Sequence, residues 1–96
     1  MTNSVEISGN LVGEPSFHIQ ADGTEVIQWR MRVGRDGSGN DSIPCSSSVP
    51  RVKRFVERVS EDKVFVANGE LRSRFWRSAG GTQSRIEVDV NSTSRE

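Results

Sequence analysis

Val5, Ile7, Gly9 and Leu11 alternate with Glu6, Ser8, Asn10 and Val12, the period-two pattern of a strand with one buried face. Gly9 and Gly13 predict a bulge or coil in that strand, as where a strand bends around a barrel. Pro15 interrupts it, and Phe17-His18-Ile19-Gln20 resumes as a short strand. Ala21-Asp22-Gly23-Thr24 carries the residues of a hairpin turn. The next strand runs from Glu25 to Val33, with Trp29, Met31 and Val33 on one face and Gln28, Arg30 and Arg32 on the other. The stretch from Gly34 to Asp41 is a turn-rich loop, and Ser42 to Ser47 forms a weaker strand around Ile43 and Cys45.

The period then changes. Val52, Phe55, Val56 and Val59 recur at i, i+3, i+4 and i+7, the apolar stripe of one amphipathic helix. Pro50 suits its first turn and Ser48 is a candidate cap. Lys53 and Glu57 form an i,i+4 pair in the less favourable order, worth a few tenths of a kcal/mol. Lys63 to Arg77 and Gln83 to Val90 make a long hairpin around Ser78-Ala79-Gly80-Gly81-Thr82. On its second strand Ile86, Val88 and Val90 should face inward, and Asn91 to Glu96 reads as a short polar end. Three strands, one helix and two strands give an all-β domain: the OB fold, a five-stranded Greek-key barrel with its helix between strands three and four. One domain spans residues 1–96, with a core of about residues 4–91.

The first strand of the hairpin is the most informative segment. Leu71, Ser73 and Phe75 point to one face, able to join a core. Arg72, Arg74 and Trp76 point to the other, with Arg77 next along the chain. Cations for phosphates beside a flat ring for a base are what single-stranded nucleic acid asks of a protein. Arg30, Arg32 and Arg35 run from the outer face of the second strand into the loop and can continue that phosphate track. Trp29 alternates with the inward set and belongs to the core; Phe17 and Phe75 are expected in the core or in an interface. Arg51, Arg54 and Arg58 share one helix face, most simply a solvated one.

Composition bounds the alternatives. Thirteen basic residues balance thirteen acidic ones, which argues against indiscriminate duplex binding but leaves room for a local basic stripe. Hydrophobic residues are only 32% of the chain, and small barrels use so few efficiently because every strand supplies one inward face. Cys45 is the only cysteine, so no intrachain disulfide can form, and a reducing cytoplasm suits a lone thiol. The first residues lack the basic and apolar runs of a signal peptide, and no apolar stretch is long enough to span a membrane. His18 and Cys45 are too few for a zinc site, and Asp36-x-Ser38-x-Asn40 lacks the glycine and glutamate that a calcium loop needs at its sixth and twelfth positions. No metal, cofactor or catalysis is expected.

Several segments together resemble the bacterial single-stranded DNA-binding protein (SSB) family. They are Val5-x-Ile7-x-Gly9-Asn10-Leu11, then Pro15 and Gly23-Thr24-x-Val26-x-x-Trp29-x-Met31, then Ile43-Pro44-Cys45. Gly69-x-Leu71-Arg72-x-Arg74-x-Trp76 and Ile86-Glu87-Val88-Asp89-Val90 complete the set, so the likeness runs over residues 4–91. The resemblance implies an oligomeric, sequence-tolerant binder of single-stranded DNA, with RNA a further candidate, acting in replication, repair or recombination. It implies that Trp76 stacks on bases and that Arg72 and Arg74 are basic contacts. It also implies a dimer through Asn3, Ser4, Val5, Glu6, Ile7 and Ser8, and a tetramer as a dimer of dimers. Two family aromatics are replaced, by Ser42 and Ser48, and the chain resembles a short member without the acidic tail that recruits replication proteins. An alternative is an accessory module of the primosome type, whose barrel chiefly contacts proteins and binds nucleic acid weakly.

Overall fold

A computed structural model describes all 96 residues. The elements follow in the order β1 (Val5–Ile19), β2 (Glu25–Gly34), β3 (Asn40–Ser47), α1 (Pro50–Arg58), β4 (Phe65–Ser78) and β5 (Gly81–Arg95). The strands close into a barrel in the order β1-β2-β3-β5-β4, antiparallel throughout except for a short parallel pairing of β3 with β5. This is the OB topology the pattern predicts, helix included.

β1 is one strand rather than two. Pro15 does not break it; its pairing with β2 shifts register between Val12 and Ser16, so the interruption is absorbed as a bulge beside Gly13. The barrel also closes tightly at two glycines. A Cβ on Gly9 would lie 2.0 Å from the Arg32 carbonyl oxygen, and one on Gly69 would lie 2.0 Å from that of Asp89. Any other residue at either position would push strands apart.

Alternation fills the barrel. Ile27, Trp29 and Met31 of β2 are buried with Leu11 of β1, Phe65 and Ala67 of β4, and Val88 and Val90 of β5. The helix seals one end: Val52 and Val56 are fully buried, and each such burial contributes about 1.5–3 kcal/mol. The Phe55 ring meets Phe65 edge-on at a centroid distance of 5.0 Å. Pro50 opens the helix as expected, but Ser48 does not cap it. Val49 occupies that position without a side-chain cap, and the Val49 N–H instead donates to Ser47 Oγ at 3.2 Å. Lys53 turns to Glu25 at 3.5 Å rather than to Glu57.

The C-terminal stretch differs from the expectation. Asn91 to Arg95 is strand, and Ser92–Arg95 pair with Phe65–Asn68 at the start of β4. Polar side chains on an exposed strand carry no signal of that backbone pairing. The two hairpins also extend past the barrel as arms. Phe17 and Ile19 on one, and Leu71, Phe75 and Ile86 on the other, are exposed rather than core. They keep the inward parity, but no opposite layer reaches that far to cover them.

Candidate nucleic-acid interface

The outward positions of four strands form one continuous face. Pairing of β2 with β3 sets Arg32 beside Ser42, Arg30 beside Pro44 and Gln28 beside Ser46. The parallel contact sets Ser46 beside Asp89, and the β4–β5 hairpin sets Arg72 opposite Glu87, Arg74 opposite Arg85 and Trp76 opposite Gln83. One strip of outer face therefore runs from the arginines of β2 across β3 and β5 to the Arg-x-Arg-x-Trp row of β4.

At the centre of this strip lies Glu87, whose side chain is inaccessible to solvent. Its Oε1 accepts from Ser46 Oγ at 2.9 Å and from Arg74 Nε, and its Oε2 accepts from Arg85 Nη2 at 3.1 Å. Arg74 Nη2 also donates to Ser46 Oγ at 3.3 Å. Two arginines directly opposite each other would repel; the shared carboxylate holds them together and aims both guanidiniums. Burial pushes the Glu87 carboxyl up. The hydrogen bonds from Arg74 and Ser46, with the positive charges of Arg74 and Arg85, outweigh burial and hold it below the usual glutamate range.

Beyond this cluster the two arms enclose a cleft of about 520 Å³. Arg74, Phe75, Trp76 and Arg85 line one wall; His18, Val26 and Gln28 line the other. Trp76 is 46% exposed, whereas Trp29 is buried at 4%. A flat ring and two fixed guanidiniums thus converge within one opening.

The other expected residues are placed as follows. Arg30 Nη1 donates to the Ser42 carbonyl oxygen and hydroxyl at 3.2 and 3.3 Å. Arg32 is exposed on the same face, and Arg77 is exposed near the hairpin tip. Arg35 lies in the β2–β3 loop with Asp41 at 3.8 Å. Arg72 pairs with Asp89 at 2.7 Å. Val5 to Ser8 pair along one edge with β4, while no strand pairs with their other edge. The segment therefore keeps one open edge. Asn3 extends the contact with β4, its amide exchanging two 2.9 Å hydrogen bonds with the Leu71 backbone.

Arg85, Glu87 and Ser46 escaped the sequence reading. The signal for them is the cross-strand register, which puts a carboxylate between three arginines. Cys45 is sealed in the core, and burial pushes its thiol up to about 12, so it stays protonated. His18 stands apart from it on the exposed arm.

Known folds bear on this arrangement. The chain is similar to the mitochondrial single-stranded DNA-binding protein Rim1 of S. cerevisiae, with a TM-score of 0.76 and 11% identity over 99% of this chain and 96% of that one. It is also similar to the SSB of Plasmodium falciparum in complex with single-stranded DNA, with a TM-score of 0.78 and 14% identity over 98% and 94% of the two chains. No protein-family model and no curated protein sequence matches the chain. At such identities the likeness is one of fold: the chain shares the OB barrel with both proteins over nearly the whole of each chain.

Proposed function

We propose that this protein binds single-stranded DNA, with little regard to sequence, in the groove across β2, β3, β5 and β4. One observation carries the reading: the half-open Trp76 ring shares a cleft with Arg74 and Arg85, both held by the buried Glu87. Trp76 stacks on a base, a contact worth ~1–3 kcal/mol. Arg72, Arg74 and Arg85 meet phosphates at the hairpin, and Arg30, Arg32, Arg35 and Arg77 extend the track. Arginines already fixed by carboxylates lose less freedom on binding. The fold shared with a P. falciparum protein solved on single-stranded DNA supports the same ligand here.

Self-association completes the proposal. The unpaired edge of Val5 to Ser8 can add a second copy, with Asn3 and Ser4 at its end, and the uncovered apolar residues of the arms offer area to a dimer or tetramer. Replication, repair or recombination is the setting in which such a protein acts, and a single buried thiol suits the cytoplasm. A second reading, a module that mainly contacts replication or primosome proteins, draws on the same exposed Leu71, Phe75 and Ile86.

Fluorescence anisotropy of labelled oligo(dT), at low and physiological salt with duplex as competitor, tests the main reading. Binding should be salt-sensitive, resist duplex, and quench the emission of Trp76. Trp76→Ala should weaken it about ten- to a hundredfold, the equivalent of one lost stacking contact. Absence of binding at low salt would leave the protein-contact reading in its place.

A further inference from the structure

A second basic region runs along α1 and past its C-terminal end, and it shares no residue with the groove. Arg51, Arg54 and Arg58 border an open pocket of about 610 Å³, and the fold brings Lys63 from the loop before β4 and Arg95 from the end of β5 to the same rim. Five of the thirteen basic residues of the chain thus surround one depression. None of the five forms an ion pair. The one carboxylate on the rim, Glu96, accepts from the Ser8 hydroxyl at 2.6 Å.

The floor is apolar. Phe55, Val59, Val64 and Phe65 line it, and Val64 is 46% exposed. The Phe65 ring is buried and the Phe55 ring stands edge-on to it. This is a different surface from a stacking platform, which needs an open ring face for a base. It is shaped as a compact depression rather than as a track along several strands. Arg51, Arg54 and Arg58 are spaced so that neighbours repel along the helix. Bound carboxylates would relieve that repulsion, and guanidinium forks take carboxylates in pairs.

We propose that this pocket docks an acidic peptide segment of a partner protein, one that also carries a bulky apolar side chain. The carboxylates would meet the arginine rim, and the apolar side chain would cover Val59, Val64 and the edge of Phe55. The inference is independent of single-strand binding in the groove.

The test uses the full chain and a fluorescein-labelled hexapeptide, Glu-Asp-Glu-Leu-Asp-Phe, followed by anisotropy. Hexaglutamate and oligo(dT) are titrated alongside. The peptide should bind, and Arg54→Glu with Arg58→Glu should weaken it by about tenfold or more, as charge reversal at a complementary surface does. Oligo(dT) affinity should stay within about twofold, and hexaglutamate should bind clearly less well than the mixed peptide. Lys63→Glu, outside every helix and strand, should act in the same direction and guards against loss of the helix in the double variant. Three results would overturn the proposal: no peptide binding by the unaltered chain, equal binding of hexaglutamate, or a loss of oligo(dT) affinity that matches the loss of peptide. The last would make this surface a second nucleic-acid contact.

Discussion

The groove and the helix-end pocket hold most of the cations of a chain with zero net charge, but they hold them in opposite ways. In the groove Arg35, Arg72, Arg74 and Arg85 each face a carboxylate. At the pocket Arg51, Arg54, Arg58, Lys63 and Arg95 face none. Pairing fixes where a guanidinium points and lowers the local charge. Absence of pairing leaves the charge at full strength and its direction loose. On the proposed reading the groove suits repeated, similar contacts with a polymer, and the pocket is left to attract an anion. A net charge of zero conceals both, because it counts the acids without placing them: three of the thirteen face arginines of the groove.

The largest expected effect comes from removing the anchor. Glu87→Ala would leave Arg74 and Arg85 opposite each other with no counter-charge and strip Ser46 of its partner. Breaking a fully buried pair costs ~3–5 kcal/mol, and because both arginines are about a third exposed, water should offset part of that, leaving roughly 2–3 kcal/mol. Urea denaturation reads the loss directly, and single-strand affinity should fall with it as the guanidiniums lose their aim. The pH dependence follows from the sign of the shift. The Glu87 carboxyl ionises more readily folded than unfolded, so its contribution is present above the ordinary glutamate value of 4.5 and fades as pH falls through the lower folded value. Glu87→Gln should therefore flatten the acid limb of stability below about pH 4.5. An unchanged acid limb would mean that the cluster does not hold the groove.

That cluster also marks where sequence stopped being legible. Strand alternation, the helix stripe and the order of elements were readable, because burial of one face imposes period two or 3.6 on the residues themselves. The paired face of the hairpin was not, because it depends on where the turn is centred. A turn centred on Gly80 sets Arg74 opposite Ile86; the two-residue loop Ala79-Gly80 sets it opposite Arg85, with Glu87 within reach. A slip of one residue exchanges the faces. The arms misled for a related reason: Phe75 and Ile86 have the right parity for a core but lie where the barrel has ended. The pocket at the helix end was half visible, as Arg51, Arg54 and Arg58. Lys63 and Arg95 join it only through the fold, because β5 continues to Arg95.

A smaller effect sharpens the contrast within the groove. Arg30 and Arg32 face no carboxylate, unlike Arg72 with Asp89. If each meets one phosphate, alanine at either should lower the slope of log affinity against log salt by about 0.7, the value for single strands. Arg72→Ala frees Asp89 as well as removing a cation, so it should weaken binding more than Arg30→Ala does while changing the slope by a similar amount. Anisotropy at four salt concentrations separates affinity from slope. Equal losses for the two variants would mean that pairing does not matter to how the groove works.

The smallest effect runs in the opposite direction and tests the pocket without any ligand. Arg54 has Arg51 three residues before it and Arg58 four residues after it on the same helix face. Each like-charge pair at such spacing destabilises a helix by ~0.2–0.5 kcal/mol, and alanine is the better helix former. Arg54→Ala should therefore raise stability by roughly 0.3–0.8 kcal/mol at low ionic strength. The gain should shrink in salt as the repulsion is screened. Arg74→Ala, measured beside it, should lower stability, because it leaves the buried Glu87 with one fewer partner. Opposite signs for two arginines on one small barrel follow only if one is held by a carboxylate and the other is not. A loss at both positions would mean that Arg54 already has a partner in solution, and the pocket would then have no free charge to offer an acidic peptide.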